Sequence, residues 1–326
     1  MKLIDCESFT LENLWAKANQ PNFSSLVWDE HHRIVSTEES GTWKAQKLQT
    51  KLENRDKNWS SLVPCWDHSR VFTWSYDLRI SDYIHANYVS GFEDEKKFIC
   101  TQAPRMNTVK TFWTMVWNEN SRIIVMLINL TTNNELQCYP YWHPAENGMV
   151  VIGDYKIRTL RKLTLAHITM TDLFLTKKYS GKSRQIFHFS FTDWTTDGTP
   201  GSPSEFYEFV RKVNQVRLAV ARGLKTHRQQ PAPIVVYCTT GIRRTGIFCT
   251  VDCALFQVIS TLQISLPKIV RRIRQQRHSS VIVPEQYFFC YRVVLHFITI
   301  MKKKKNNTRN KILPNSGEIE KILLTD

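Results

Sequence analysis

Residues 234–246 read Ile-Val-Val-Tyr-Cys-Thr-Thr-Gly-Ile-Arg-Arg-Thr-Gly, and this stretch decides the fold. Its apolar start predicts a short buried strand. From Ile247 onward, apolar residues recur at three- and four-residue spacing, which predicts an amphipathic helix. A tight loop between a strand and a helix directs backbone N–H groups towards one point, beside the positive end of the helix dipole. The stretch therefore predicts an oxyanion site with Cys238 at its strand end and Arg244 at its helix start.

The chemistry of this loop follows from its two reactive side chains. A positive environment stabilises the anionic form of a thiol, so Cys238 is expected to be a thiolate nucleophile. The planar guanidinium of Arg244 can bind two phosphate oxygens at once. The first chemical hypothesis is therefore a cysteine that attacks a phosphate monoester. The residues predicted to bind the phosphate are Thr239, Thr240, Gly241, Ile242, Arg243 and Arg244.

The spacing Cys-x5-Arg-Thr-Gly resembles the signature loop of the protein tyrosine phosphatases, H-C-S-A-G-x-G-R-[ST]-G. Four more segments resemble motifs of that family in the family's order: Asp-His-Ser-Arg-Val at 67–71, Asp-Tyr-Ile-His-Ala-Asn-Tyr at 82–88, Phe-Trp-Thr-Met-Val-Trp at 112–117 and Cys-Tyr-Pro-Tyr-Trp at 138–142. The resemblance covers roughly residues 15–300. It implies an α/β fold with a single tyrosine-phosphatase-like domain, in which helices flank a twisted mixed β-sheet.

The expected domain organisation has three parts. Residues 1–14 are predicted to be an N-terminal extension, 15–301 the domain, and 302–326 a basic tail without order. Four lysines at 302–305 suggest nuclear import or lipid binding as an alternative to a solvated extension. The charge-rich stretch 34–58 predicts a polar helix.

Composition narrows the function classes. The net charge of +15 suits acidic partners such as phosphoproteins, and no nucleic-acid-binding motif is present. No apolar stretch is long enough to span a bilayer and the N-terminus lacks a signal-peptide core, so a cytoplasmic location is expected. The eight cysteines have no metal-ligand spacing, which predicts reduced, buried thiols and neither a metal nor a cofactor.

The family's general acid is an aspartate on a Trp-Pro-Asp loop, and this chain departs from that motif. Trp194, Gly198 and Pro200 fix the register, which puts Thr196 at the acid position. A threonine hydroxyl is far too weak an acid at pH 7, and such a group usually contributes about 10²–10⁴-fold to the rate. Asp197, one residue further on, is the candidate surrogate acid.

Substrate and water contacts depart as well. Ser60 takes the place of the tyrosine that holds the phosphotyrosine ring in the family, with Trp59 beside it as a possible stacking partner. Ile282 replaces the glutamine that positions the hydrolytic water, whereas Gln286 matches a second glutamine and completes the predicted pocket.

Two substitutions fall within the signature loop itself. Arg243 stands where the family has glycine, so its Cβ could oppose closure of the loop. Tyr237 replaces a histidine that helps to hold the thiolate environment, and its hydroxyl is expected to take over that role in part.

Three functional hypotheses follow. The first is a phosphatase-like protein of little or no turnover, a pseudophosphatase that binds phosphotyrosine proteins. The second is a slow cysteine-dependent tyrosine phosphatase that uses Asp197 or Asp193 as its acid, and the third is an interaction scaffold that does not use the pocket. The chain also resembles the phosphatase-like sets of bracoviruses, which implies interference with phosphotyrosine signalling in host immune cells. The sequence leaves the oligomeric state open.

Overall fold

The computed structural model describes residues 8–37, 45–74, 82–132, 135–223 and 231–307. Within these ranges the strands are β1 (Phe9–Thr10), β2 (Arg70–Phe72), β3 (Tyr83–Val89), β4 (Phe98–Gln102), β5 (Ile123–Met126), β6 (Thr131–Thr132), β7 (Glu135–Leu136), β8 (Met149–Ile152), β9 (Tyr155–Leu165), β10 (Ile168–Lys177), β11 (Ser183–Phe191), β12 (Ile234–Cys238) and β13 (Gln263–Ile264). The α-helices are α1 (Leu11–Ala18), α2 (Phe23–Ser36), α3 (Val109–Asn118), α4 (Pro203–Gly223), α5 (Arg243–Thr261), α6 (Leu266–Gln276) and α7 (Pro284–Asn307).

Nine of these strands form one mixed sheet in the order β2-β3-β4-β12-β5-β11-β10-β9-β8. The centre is parallel: β12 pairs with β4 and β5, and β5 pairs with β11. The outer pairs are antiparallel. Helices cover both faces, so the fold is the α/β class that the resemblance implied.

The apolar run of β12 explains its central place. All five residues are buried, as is typical of a parallel strand that is covered on both faces. Side chains alternate along a strand, and Tyr237 points to the side of α3, where its ring contacts Phe112 at 6.0 Å between centroids. On the other side Phe98 of β4 contacts Phe248 of α5. Cys238 ends the strand opposite Gln102 of β4.

Helix α5 is the centre of the helical layer, because it packs against α4, α6 and α7. Its buried Asp252 accepts hydrogen bonds from Lys97, the residue before β4, at 2.5 Å and from Asn214 of α4 at 2.7 Å. Both carboxylate oxygens are thus bonded in the interior, which is where an unpaired charge would be most costly.

The chain termini of the domain differ from the sequence prediction. Leu11 and Leu14 of α1 are buried in the core, so the packed domain begins before residue 15. Helix α7 continues through the lysines at 302–305 to Asn307, and Lys302 lies over the ring of Trp15 at 4.1 Å. The expected disorder is therefore wrong for 302–307, and the rest of the tail, 308–326, lies outside the described residues.

The predicted polar helix over 34–58 was also wrong. Helix α2 ends at Ser36, residues 38–44 lie outside the described ranges, and residues 45–58 contain turns and a short 3₁₀ helix at Leu52–Lys57. Among the described residues, seven cysteines are free and buried. No helix in the described ranges is both long and apolar enough to cross a membrane.

Candidate functional site

The phosphate loop is the segment between β12 and α5, residues 239–242. Its turn depends on Gly241, whose φ of +69° is a conformation that a residue with a Cβ rarely adopts. A Cβ at this position would lie 2.2 Å from the carbonyl oxygen of Thr101. Only glycine lets the loop pack this closely against β4. Cys238 is 3% exposed at the base of the loop.

Arg277, directly after α6, supports the phosphate loop from behind. Its buried guanidinium donates to the carbonyl oxygens of Thr240 and Gly241 at 3.0 and 3.1 Å, and to Asn87 Oδ1 at 2.7 Å. A trans peptide group points its N–H away from its C=O. The N–H groups of Gly241 and Ile242 therefore face away from Arg277.

The start of α5 adds further donors. Within the described residues no side chain caps this helix, so its first-turn N–H groups are available to an anion. The sequence prediction of a loop with converging N–H groups fits this geometry, and the Cβ of Arg243 does not oppose it, since Arg243 is the first helical residue and its side chain is exposed. Thr239 and Thr240 are partly exposed along the loop, and Ile242 is buried.

Arg244 lies beside the phosphate loop, between two other segments. Its guanidinium donates to the carbonyl oxygen of Leu127 at 3.3 Å and lies 4.7 Å from the centre of the Trp194 ring. Burial lowers the pKa of the Arg244 guanidinium, which still remains a cation at neutral pH. One N–H edge is thus used within the protein, and the remaining donors can bind an oxyanion.

The segment that should carry the general acid forms a closed turn. Trp194 bridges to Pro200, and Thr195 N donates to Thr199 O at 2.8 Å. Gly198 permits the turn with a φ of +78°. Thr196, at the acid position, is exposed and brings no titratable group.

Asp197 closes this turn as a hydrogen-bond acceptor. Its Oδ1 accepts from the hydroxyl of Thr195, from Thr199 N at 2.9 Å and from the Thr199 hydroxyl at 2.8 Å. The hydrogen bond from Thr195, followed by those from Thr199, lowers the pKa of Asp197 below its ordinary value. A carboxylate held in this way carries no proton at neutral pH, which argues against the surrogate-acid hypothesis.

The predicted substrate wall is anchored to the strand next to Cys238. Trp59 N donates to Gln102 Oε1 at 3.0 Å, and its indole Nε1 donates to Ala103 O at 2.7 Å. Arg105 lies over the indole at 5.0 Å, so one face of the predicted stacking residue is already covered. Ser60 accepts from the backbone of Leu62 at 3.1 Å, which makes Ser60 part of a local turn.

Gln286 and Ile282 occupy the remaining edge of the site. Gln286 is fully buried, and its Nε2 donates to Gly198 O at 3.4 Å, which links α7 to the turn around Thr196. Ile282 is 36% exposed and presents only hydrocarbon where the family has a water-binding amide. Val281 before it has a φ of +53° and bonds to Ile242 O, so the segment is fixed against the phosphate loop.

Tyr237 lies at the position of the family's histidine, directly before Cys238 on β12. Its hydroxyl lies on the opposite face of β12 from Cys238 and bonds to the hydroxyl of Tyr141 at 2.8 Å. Tyr141 in turn bonds to His188 Nε2 at 2.7 Å. Because neighbouring side chains in a strand point to opposite faces, a side chain at position 237 acts on the thiol only indirectly, and partial replacement of the family's histidine by the Tyr237 hydroxyl stays a prediction.

Arg277 and Asn87 are the site residues that sequence reasoning missed. Arg277 lies in the basic run 271–277, where nothing in the sequence distinguishes it from the other arginines. Its burial could have been suspected only from Asn87, which lies within the motif at 82–88. Their hydrogen bond joins residues 190 positions apart.

Known proteins match most of this chain. The family model for protein-tyrosine phosphatase matches residues 54–296. The chain is 39% identical to the probable tyrosine phosphatase protein N1 of Microplitis demolitor bracovirus, over 91% of this chain and 93% of that protein. It is also 39% identical to tyrosine phosphatase H3 of the same virus, over 92% of this chain and 97% of that protein. Human tyrosine-protein phosphatase non-receptor type 9 is 34% identical over 83% of this chain and 46% of that protein.

Proposed function

The chain belongs to the protein tyrosine phosphatase family, and from this premise we propose that it binds phosphotyrosine proteins with little or no turnover. One contrast carries the proposal. The phosphate loop is folded and supported by Arg277, whereas the acid position holds Thr196 and the carboxylate of Asp197 is bonded within its own turn. Phosphate recognition depends on the phosphate loop, and turnover depends on the segment around Thr196. Only the segment around Thr196 lacks the reactive group that its role requires.

Binding needs only the phosphate loop and Arg244. Backbone N–H groups at a helix N-terminus and a guanidinium are the donors that proteins commonly use for phosphate. These donors remain whether or not a leaving group can be protonated. The proposal requires no metal and no cofactor.

Turnover needs an acid and a positioned water. Thr196 cannot protonate the leaving oxygen, and loss of a general acid typically lowers a rate about 10²–10⁴-fold. Ile282 offers no hydrogen bond to a water, so hydrolysis of a phosphocysteine at Cys238 would be slow as well. Both chemical steps are weakened.

The bracovirus relatives supply the cellular part of the proposal. We place this protein in the cytoplasm of host cells, where it would shield phosphotyrosine sites on immune signalling proteins. The support is its similarity to proteins named as tyrosine phosphatases of such a virus, together with the folded phosphate loop. The lysines at 302–305 keep a nuclear location as the alternative.

The deciding experiment measures phosphate release and binding on the same phosphotyrosine peptide. We expect equal, background-level release from the wild type and from Cys238→Ser. We also expect the wild type to bind the phosphorylated peptide at least about tenfold more tightly than its unphosphorylated form, since a hydrogen bond to a charged group contributes about 1.5–3 kcal/mol. Arg244→Met should remove this preference. Arg222→Met, at the exposed end of α4, makes the same change of charge as a control.

Two results would contradict the proposal. Release by the wild type clearly above that of Cys238→Ser would show a working enzyme. Equal affinity for the phosphorylated and unphosphorylated peptides would show that the protein does not recognise phosphotyrosine. Partner binding that inorganic phosphate does not displace would favour the scaffold hypothesis.

The slow-enzyme hypothesis keeps one observation in its favour, the intact loop around Cys238. It is tested by restoring the acid with Thr196→Asp, with Thr196→Asn as the uncharged control of the same size. If only the acid is missing, Thr196→Asp should raise phosphate release at least about tenfold over Thr196→Asn. No gain would place the defect in the phosphate loop or at Ile282 instead.

A further inference from the structure

Three potential metal ligands meet at one end of the segment that contains Thr196. His167 lies in the turn between β9 and β10, Asp193 follows β11, and Glu205 lies in the first turn of α4. Each offers one ligand atom, and these atoms all lie within 4.8 Å of one another. His167 Nε2 lies 3.9 Å from Glu205 Oε2.

The backbone fixes two of these residues next to each other. His167 O accepts from Thr192 N at 3.1 Å, which joins the β9–β10 turn to the residue before Asp193. Gly201 N donates to Asp193 Oδ2 at 3.1 Å. A Cβ on Gly201 would lie 2.3 Å from that oxygen, so the glycine leaves the space that the carboxylate occupies. This arrangement holds Asp193 in place through one oxygen and leaves Oδ1 available to a ligand.

We propose that His167, Asp193 and Glu205 bind a divalent transition-metal ion. One imidazole nitrogen and two carboxylate oxygens form a ligand set that Zn²⁺ accepts, with water in the fourth position. The two carboxylate charges balance the charge of the ion. Ligand atoms of a tetrahedral zinc site lie about 3.3 Å apart. The side chains of His167 and Glu205 are 47% and 43% exposed, so rotation of these two side chains closes the remaining distance.

The position of the site gives the ion a mechanical effect. Asp193 precedes the turn around Thr196, and Glu205 follows it by nine residues. A metal ion bound to both would tie the two ends of this segment to each other and, through His167, to the β9–β10 turn. The ion would therefore hold the turn around Thr196 in the conformation described above.

Zinc titration of the full chain tests the site. Cys238→Ser serves as the parent protein, because a thiolate also binds Zn²⁺. Calorimetry should give one Zn²⁺ per chain in this parent. His167→Ala and Asp193→Asn should each weaken binding at least about tenfold, since loss of an outer-shell partner alone costs 10–100-fold. His32→Ala, which removes an exposed histidine of α2, should bind as the parent does.

A second readout separates binding from folding. Zn²⁺ should raise the melting temperature of the parent and slow amide hydrogen exchange over residues 195–199, and both effects should vanish in His167→Ala and in Glu205→Gln. The variants should melt like the parent when a chelator is present. Equal Zn²⁺ affinity in His167→Ala and the parent, or no binding up to about 1 mM Zn²⁺, would overturn the proposal.

Discussion

Gly241 meets two demands that no other residue type meets together. Its φ is +69°, and its Cα faces the backbone of Thr101 at a distance that excludes a Cβ. Gly181 has nearly the same φ, +62°, but no atom lies within 4 Å of where its Cβ would be. The two glycines therefore separate the effect of conformation from the effect of close packing.

We expect Gly241→Ala to destabilise the protein by at least about 3 kcal/mol and Gly181→Ala by about 1 kcal/mol. The conformational cost of a left-handed residue is about 1–2 kcal/mol, and overpacking against β4 adds about 1–3 kcal/mol. Urea unfolding measures both variants. Phosphopeptide binding should be lost only in Gly241→Ala. Equal destabilisation by the two substitutions would mean that the loop yields to the added Cβ.

Some site residues could be assigned from the sequence, because matching residues on both sides fix their place in the family's motif. Thr196 and Ile282 could be assigned because flanking residues matched the family in spacing. The state of Asp197 could not be predicted, because it depends on hydroxyl groups that the turn brings around it. Strand alternation alone predicts that Tyr237 faces away from Cys238, whereas its hydrogen bond to Tyr141 depends on a segment about 100 residues away.

At the scale of elements, β4, α4 and α5 are joined by one buried polar group. Lys97 Nζ and Asn214 Nδ2 bond to separate oxygens of Asp252, and Asp252 is fully buried. Lys97 also lies 3.8 Å from the centre of the Phe256 ring. The ion pair therefore fixes the helical layer to the strand beside β12.

Lys97→Met should destabilise the protein by about 3–5 kcal/mol, because it leaves the Asp252 carboxylate buried with its charge uncompensated. The double variant Lys97→Met with Asp252→Leu should recover most of that loss, since a well-packed apolar pair often matches a buried ion pair. Thermal and urea unfolding of both variants measure this. A double variant less stable than the single one would show that the ion pair is itself strongly stabilising.

Elements were predicted well where the apolar pattern was regular. The strand and helix around the phosphate loop appear as β12 and α5, close to the expected positions. The prediction for 34–58 was wrong because part of this stretch bonds to other segments: Asp67 accepts from Lys47 N, and the side chain of Gln49 bonds to Val63 O and Cys65 N. Such long-range contacts leave no periodic signal in a sequence.

At the scale of the whole molecule, two buried histidines make stability depend on pH. Burial lowers the pKa of both His85 and His188 to about 3, from an ordinary value of 6.5. Between these values the unfolded chain binds protons that the folded protein does not. Stability is therefore full above about pH 6.5 and decreases as the pH falls towards 3.

From pH 7 to pH 5 we expect these two histidines to lower the free energy of unfolding by about 4 kcal/mol in total, or about 2 kcal/mol each. His85→Asn, which replaces the imidazole by a side chain that does not titrate, should reduce the dependence on pH by about half. Urea titrations at both pH values measure the wild type and the variant. An unchanged slope in His85→Asn would show that His85 is not the neutral buried group described.

Arg277 and Arg244 both serve the phosphate loop, yet their contacts predict different consequences of substitution. Arg277 is buried against carbonyl oxygens, so its substitution would impair folding, and it would be eliminated in any virus or host lineage that needs a folded protein. Arg244 is partly exposed and bonds to a single carbonyl oxygen, so only selection for anion binding would preserve it. Sequence variation at Arg244 would therefore show whether anion binding is still selected. An invariant Arg277 would show only that the fold is selected.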